Sequence, residues 1–205
     1  MSDQPTCDFS DKPTLHGERV ILRPFTGADV PAMIEILADP EVLRLTGSPE
    51  DEEPDADHLR SWYSSRSDQN DRLDLAVVDR KSGVVVGEAV LHDWSPTHRC
   101  CRFRILIGPL GRDRGFGTEA TRLIVGHGFE RLGLNRIELS VYDFNPRARR
   151  AYEEVGFVAE GTEREVLHLN GEWFDATAMS VLAREWAVHR GTPEISARVS
   201  PGITG

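Results

Sequence analysis

Apolar positions recur with a period near two over several short stretches of the first half of the chain, and with a period near 3.6 over two longer stretches of the second half. Residues 19–24, with Val20, Ile21 and Leu22 at their centre, predict a first strand. Thr26-Gly27-Ala28-Asp29 has the form of a capping box, opening a helix to about residue 38, where Asp39-Pro40 favours a break. A short helix is expected at 58–66. Residues 73–78 and 84–91 flank the turn residues Lys81-Ser82-Gly83 and predict a hairpin. A turn at Ser95-Pro96-Thr97 leads to a third apolar strand over 101–107, so the first half reads as mostly antiparallel sheet.

From Thr118 a helix is expected to about Leu132, with Val125, Gly128, Phe129 and Leu132 on one face and Gly133 to stop it. Residues 136–142 form the next strand. Asn145-Pro146 then pairs a capping side chain with a proline whose missing N–H is no loss at a helix start. Ala148, Ala151, Tyr152 and Val155 follow at i, i+3, i+4 and i+7, and Gly156 closes the helix. Two last strands, 157–169 and 173–182, are joined by Asn170-Gly171, a specific hairpin signal. The expected fold class is α+β, a mixed, mostly antiparallel central sheet flanked by helices. The expected organisation is one domain over 15–183, a flexible N-terminal arm over 1–14 and a loose C-terminal extension over 184–205.

Length and composition agree with one domain: 205 residues, 39% hydrophobic and 28% charged, are enough for a core without metal or disulfide staples. No apolar run is long enough to cross a bilayer, and the start of the chain lacks a secretory pattern, so a cytoplasmic location away from membranes is expected. The three cysteines, Cys7, Cys100 and Cys101, form neither a disulfide framework nor a metal-ligand spacing, and no metal is expected. A formal charge of -10 argues against general nucleic-acid binding, which needs a basic footprint.

Candidate chemistry concentrates where a strand, a loop of glycines and arginines, and a helix follow one another between Ile105 and Ala120. A helix N-terminus preceded by glycines offers free backbone N–H groups and a positive dipole end, which together bind phosphate oxygens. A Walker A loop is excluded because no Gly-Lys-Ser/Thr follows. The relaxed dinucleotide pattern is met by Gly115, Gly117 and Ala120, with Glu138 at the distance the ribose contact asks for. That pattern, however, expects its glycines directly after the strand opening a βαβ unit, whereas residues 109–114 intervene and antiparallel strands come before.

Arg112-Asp113-Arg114-Gly115-Phe116-Gly117 resembles the Arg/Gln-x-x-Gly-x-Gly/Ala pyrophosphate loop of the GNAT superfamily of N-acetyltransferases. The run from Asn145 through Ala148 and Tyr152 to Gly156-Phe157 resembles that family's following helix. Val86-Gly87-Glu88, Arg99, Asp39-Pro40-Glu41-Val42 and Asn170-Gly171-Glu172-Trp173 are similar to its RimJ/RimL-like branch. The resemblance spans about residues 15–183. It implies a V-shaped split between two neighbouring strands that receives the pantetheine of acetyl-CoA, the expected cosubstrate, against the edge at Ile105, Leu106 and Ile107. It places the pyrophosphate on the backbone of Arg112, Asp113, Arg114, Gly115, Phe116, Gly117 and Thr118, with the Arg112 and Arg114 side chains adding charge, Asn145 and Tyr152 flanking the thioester and Arg147 or Arg150 near the 3′-phosphate.

The implied reaction is direct attack of a primary amine on the thioester through a tetrahedral intermediate. An alkylamine with a pKa near 10.4 must first lose a proton. Glu88 is the first candidate base, beside Glu138, backbone carbonyls acting through water, or a local fall in the amine's own pKa. A backbone N–H within 105–107 suits the oxyanion, a donor whose loss typically costs about 2.7–4 kcal/mol. Tyr152, protonated at neutral pH, can return a proton to the departing thiolate.

Each residue also has a structural explanation: Asn145 as a helix cap, Tyr152 as a core tyrosine, Arg147 and Arg150 as a solvated face. The expected acceptor is a peptide N-terminus or a small aminated metabolite or antibiotic, with spermidine as the alternative, and homodimerisation is left open. A non-catalytic acyl-CoA sensor is the competing class. The net charge and the acidic residues at 50–57, Glu88 and Asp93 favour a neutral or cationic acceptor. Against this, Arg102-Phe103-Arg104 stands where many RimJ/RimL-like relatives carry an acidic residue and a glycine, and would invert the charge locally.

Overall fold

The structure, a computed structural model, describes residues 8–48 and 55–189. Eight strands form one sheet: β1 (Leu15–His16), β2 (Val20–Pro24), β3 (Leu73–Asp79), β4 (Val85–Ser95), β5 (Cys100–Ile107), β6 (Arg136–Tyr142), β7 (Val158–Leu169) and β8 (Glu172–Leu182). Their spatial order is β1-β2-β3-β4-β5-β6-β8-β7. Every neighbouring pair is antiparallel except β5 and β6, which run parallel because a helix carries the chain across between them. The α+β, mixed and mostly antiparallel sheet expected from the sequence is therefore present.

Six helices cover its two faces: α1 (Val30–Leu37), α2 (Pro40–Thr46), α3 (Ala56–Arg66), α4 (Phe116–Glu130), α5 (Pro146–Val155) and α6 (Ala183–His189). On β5 the side chains alternate as a strand requires. Cys101 and Phe103 join the core beneath α4 and α5, whereas Leu106 joins the core beneath α1, α2 and α3. The β7–β8 turn places Asn170 and Gly171 at φ 51° and 84°, the left-handed pair that a two-residue hairpin loop requires.

Pairing between β5 and β6 is short. Cys100, Cys101 and Arg102 lie opposite Arg136, Ile137 and Glu138, and there the ladder stops. Beyond it residues 103–107 remain paired only to β4, and residues 139–142 only to β8. The sheet thus splits in a V with its apex at Arg102 and Glu138.

Two expectations about the chain's ends need correction, and one helix was not expected. The N-terminal arm is anchored from Phe9, which is buried and packs 5.7 Å from the Trp94 ring, while Lys12 Nζ donates to the carbonyls of Gln69 and Arg72 at 2.6 and 2.7 Å. The C-terminal extension begins with α6, whose buried Trp186 lies 6.1 Å from Phe129 and donates from Nε1 to Glu130 at 2.9 Å. The break at Asp39-Pro40 is followed by a second helix, α2, with Asp39 accepting from Val42 N at 3.0 Å and Gly47 at φ 71° beyond its end. The ends at 1–7 and 190–205, and residues 49–54 of the acidic loop, lie outside the described residues. No described helix is long and apolar enough to cross a membrane.

Candidate active site

The split opens a cleft of about 650 Å³ whose walls include the inner edges of β5 and β6. The loop after β5 and the first turn of α4 border it, as does the N-terminal half of α5. Ile105, Leu106, Ile107, Arg112, Asp113, Gly115, Phe116, Gly117, Thr118, Asn145, Arg147, Arg150 and Tyr152 all line it; Arg114 and Glu88 do not.

The loop is shaped by two left-handed residues, Asp113 at φ 57° and Gly115 at φ 73°. The left-handed conformation of Gly115 is the reason for glycine there; the nearest atom a Cβ would meet, Arg19 Nη1 at 2.4 Å, ends a flexible side chain that can shift. The first helical bond of α4 runs from Glu119 N to Gly115 O at 3.1 Å. The amides of Phe116, Gly117 and Thr118 precede it and have no carbonyl one turn back within the helix to accept them. They are three clustered donors at the positive end of a 15-residue helix, a suitable cradle for phosphate oxygens.

The arginines of the loop serve two different purposes. Arg112 is largely buried and forms ion pairs with Asp39, the cap of α2, and with Glu41. Burial works to raise the Asp39 carboxyl, but its bonds from Arg112 and from the Val42 amide outweigh that and hold it below its ordinary value. Arg114 turns away from the cleft: its guanidinium lies 4.2 Å over the Phe116 ring and donates to Asp79 Oδ2 at 3.0 Å and Leu110 O at 3.0 Å. Its expected place among the cofactor-binding side chains is thus corrected, because the buried Asp79 carboxylate claims it. Arg147 bridges Glu41 and Asp113 at 3.0 and 3.4 Å, and Arg150 is exposed on the next turn of α5.

Tyr152 stands on the α5 face toward the sheet, its ring edge-on to Phe103 at 6.1 Å and 5.9 Å from Phe157. Burial raises its phenol, which therefore stays protonated well above neutral pH. It is a core residue that also borders the cleft, so the packing role and the proton-donor role coexist. Asn145 caps α5 by accepting from Ala148 N at 3.1 Å, which leaves its amide NH₂ as what it can offer a ligand.

Glu88 is neither exposed nor at the cleft wall. Its carboxylate is buried and accepts from Arg104 at 2.8 Å and from the Tyr63 hydroxyl at 3.1 Å. Burial, then the Glu88 charge, raise the Tyr63 phenol and keep it a donor. The two Glu88 oxygens are taken up by Arg104 and Tyr63 and the residue does not border the cleft, so the expectation of Glu88 as base is corrected. Glu138 is likewise engaged by Arg136 at 2.9 Å. The premises for a cationic acceptor weaken with it: Glu88 is paired with Arg104, and residues 50–54 fall outside the described residues.

Sequence reasoning missed the side of the cleft formed by α2, where Val42, Leu45 and Thr46 line it, because α2 itself was not anticipated. His92 and Ser140 are also lining residues. Strand alternation carried the signal, since it sets Arg102 and Arg104 on the face opposite Phe103.

A split sheet beneath a helix N-terminus, walled by a buried tyrosine, is the arrangement that the resemblance to N-acetyltransferases implies, and comparison with known proteins agrees. The model of the acetyltransferase (GNAT) domain family matches residues 19–158, and the chain belongs to this family. It is 26% identical over 171 residues to the uncharacterized N-acetyltransferase YoaA of Bacillus subtilis, covering 83% of this chain and 97% of that protein. It is 31% identical over 130 residues to the spermidine N(1)-acetyltransferase of Vibrio cholerae, covering 63% of this chain and 75% of the relative. The crystal structure of spermidine N-acetyltransferase from Vibrio cholerae in complex with CoA and spermine superposes with a TM-score of 0.76 at 25% identity, over 83% of this chain and 99% of that one. The protein is a GNAT N-acetyltransferase.

Proposed function

We propose that the enzyme moves the acetyl group of acetyl-CoA to a primary amine carried by a small molecule or a peptide. The observation that carries this reading is the end of β5–β6 pairing at Arg102 and Glu138, which opens a strand edge beneath the amides of Phe116, Gly117 and Thr118 and beside Tyr152. The pyrophosphate of acetyl-CoA would rest on those amides, with Arg147 and Arg150 as flanking charge and Arg112 holding the loop to α2. The backbone of Ile105, Leu106 and Ile107 would receive the pantetheine amides and donate to the carbonyl oxygen that gains charge during attack.

In the transfer, the amine nitrogen forms a bond to the acetyl carbon while the carbon–sulfur bond breaks. The sulfur takes the Tyr152 hydroxyl proton, and the proton lost by the nitrogen passes to solvent, from which the phenol is restored. With Glu88 and Glu138 both engaged in ion pairs, no carboxylate is assigned as base. The reactive fraction of the acceptor is set by its own deprotonation, and the rate should climb with pH toward the amine pKa.

Similarity to spermidine acetyltransferases supports a second reading of the acceptor, a polyamine. Incubation with acetyl-CoA and a panel of amines, polyamines and peptides, followed by mass spectrometry of the acceptors, tests both readings. Acetylation at an amine supports the function. Acetyl-CoA bound without acetylation of any amine would favour the sensor class.

A further inference from the structure

Five arginines and three carboxylates line the cleft, and three of those arginines are already matched: Arg104 by Glu88, Arg112 by Asp39 and Glu41, and Arg147 by Glu41 and Asp113. Three of those arginines, Arg112, Arg147 and Arg150, stand on the loop and α5, where coenzyme A phosphates account for them. Arg102 and Arg104 lie toward the other end of β5, on the face covered by α1, α2 and α3. Arg102 is five residues from Ile107, about 16 Å of strand.

Arg104 is matched by Glu88 at 2.8 Å. Arg102 differs: among the described residues it has no carboxylate partner, and its Nη2 donates to the neutral Ser140 hydroxyl at 3.2 Å, across the split close to its apex. Glu138, its neighbour in register on β6, is turned to Arg136 at 2.9 Å. Glu163, also a lining residue, lies beyond β8 on β7. On the other side in register stands His92, which borders the cleft as well. An arginine without a carboxylate partner, bordering the same cleft, suits a carboxylate, which its planar guanidinium can bind through two parallel hydrogen bonds.

We infer that the acceptor amine also carries a carboxylate, held by Arg102: a free amino acid or a short peptide rather than a polyamine. Ile105, at the level expected for the thioester carbonyl, is three residues from Arg102, so amine and carboxylate lie within about 10 Å of each other. This assignment rests on the acyltransferase reading above and names the substrate class for the same cleft.

The test compares kcat/KM, expressed per unit of unprotonated amine, for matched acceptors: amino acids and dipeptides against their carboxamides, with spermidine alongside. The carboxylate member of each pair should be favoured by about 10- to 100-fold, as expected for a charge-assisted hydrogen-bonded pair. Arg102→Ala should bring that ratio close to one, chiefly through KM, and Arg102→Lys, a point charge without the fork, should keep part of it. Acetyl-CoA affinity is measured separately by calorimetry, and its absence would remove the acyltransferase reading itself. With acetyl-CoA bound normally, the acceptor assignment is overturned by equal kcat/KM across the pairs, by preference for spermidine, by no turnover of any carboxylate-bearing acceptor, or by an Arg102→Ala ratio equal to that of the wild type.

Discussion

Arg112, in the glycine loop that caps the cleft, is ion-paired to Asp39, the residue that caps α2 on the other side of the cleft. One carboxylate therefore fixes the phosphate loop and the helix carrying Val42, Leu45 and Thr46. Asp39→Asn keeps a capping side chain but removes the charge, and should cost about 1–3 kcal/mol of stability. Its acetyl-CoA Kd should rise severalfold. The Asp39 carboxyl is depressed in the folded state, so its contribution is present above the unfolded value near 3.9 and is lost as pH falls through the lower folded value. The stability gap between wild type and Asp39→Asn should accordingly close in acid. Denaturant midpoints measured at neutral pH and in acid check this, and a gap that widens in acid would contradict it.

Gly117 sits in the first turn of α4, where a Cβ would meet only Ile107 Cγ1 at an ordinary 3.7 Å. Gly117→Ala should fold and bind acetyl-CoA. Gly117→Glu should also fold, since an acidic residue near a helix N-terminus is favourable, but its carboxylate would occupy and repel the phosphate position. Calorimetry should show loss of acetyl-CoA binding in a protein of unchanged thermal midpoint. Normal affinity in that variant would remove the loop from the site.

Tyr152→Phe retains the ring packing against Phe103 and Phe157 and removes only the hydroxyl. Turnover should fall about 10²–10⁴-fold where chemistry limits the rate. Because burial raises the wild-type phenol, its proton is retained as pH rises through the ordinary tyrosine range. The wild-type rate should therefore follow acceptor deprotonation upward past pH ~10 without a falling limb from this residue. Single-turnover rates across that range decide it, and wild-type turnover in the phenylalanine variant would leave Tyr152 a packing residue only.

Much of this arrangement was legible because its determinants are local. Asn145-Pro146 and Gly156 bound α5, Asn170-Gly171 sets the last hairpin, and the glycine loop announces an anion site. The partners that decide which charges are available come from far along the chain. Arg114 meets Asp79, Glu88 meets Arg104 and Tyr63, and Arg112 meets Asp39, none of them at a spacing that periodicity reveals. The anchoring of Phe9 and Trp186 is likewise tertiary: short flanking segments with little pattern of their own become ordered by burying one aromatic ring each.

Trp186 supplies a test of that last point. It is buried against α4, where a Cβ at Gly126 would come within 3.0 Å of its Cζ2. Trp186→Ala should cost roughly 3–5 kcal/mol and lower the thermal midpoint by about 10 °C. An unchanged midpoint would return residues 184–189 to the loose extension expected from sequence.

The central claim is that the β5–β6 cleft transfers an acetyl group from acetyl-CoA to an amine. Its most direct test is the release of the coenzyme A thiol, followed colorimetrically with wild-type enzyme, acetyl-CoA and each acceptor in turn. The account predicts release that requires the acceptor amine, matches the N-acetyl product one to one and is lost in Gly117→Glu. Thiol release that is independent of any amine, or that survives intact in Gly117→Glu, would contradict it.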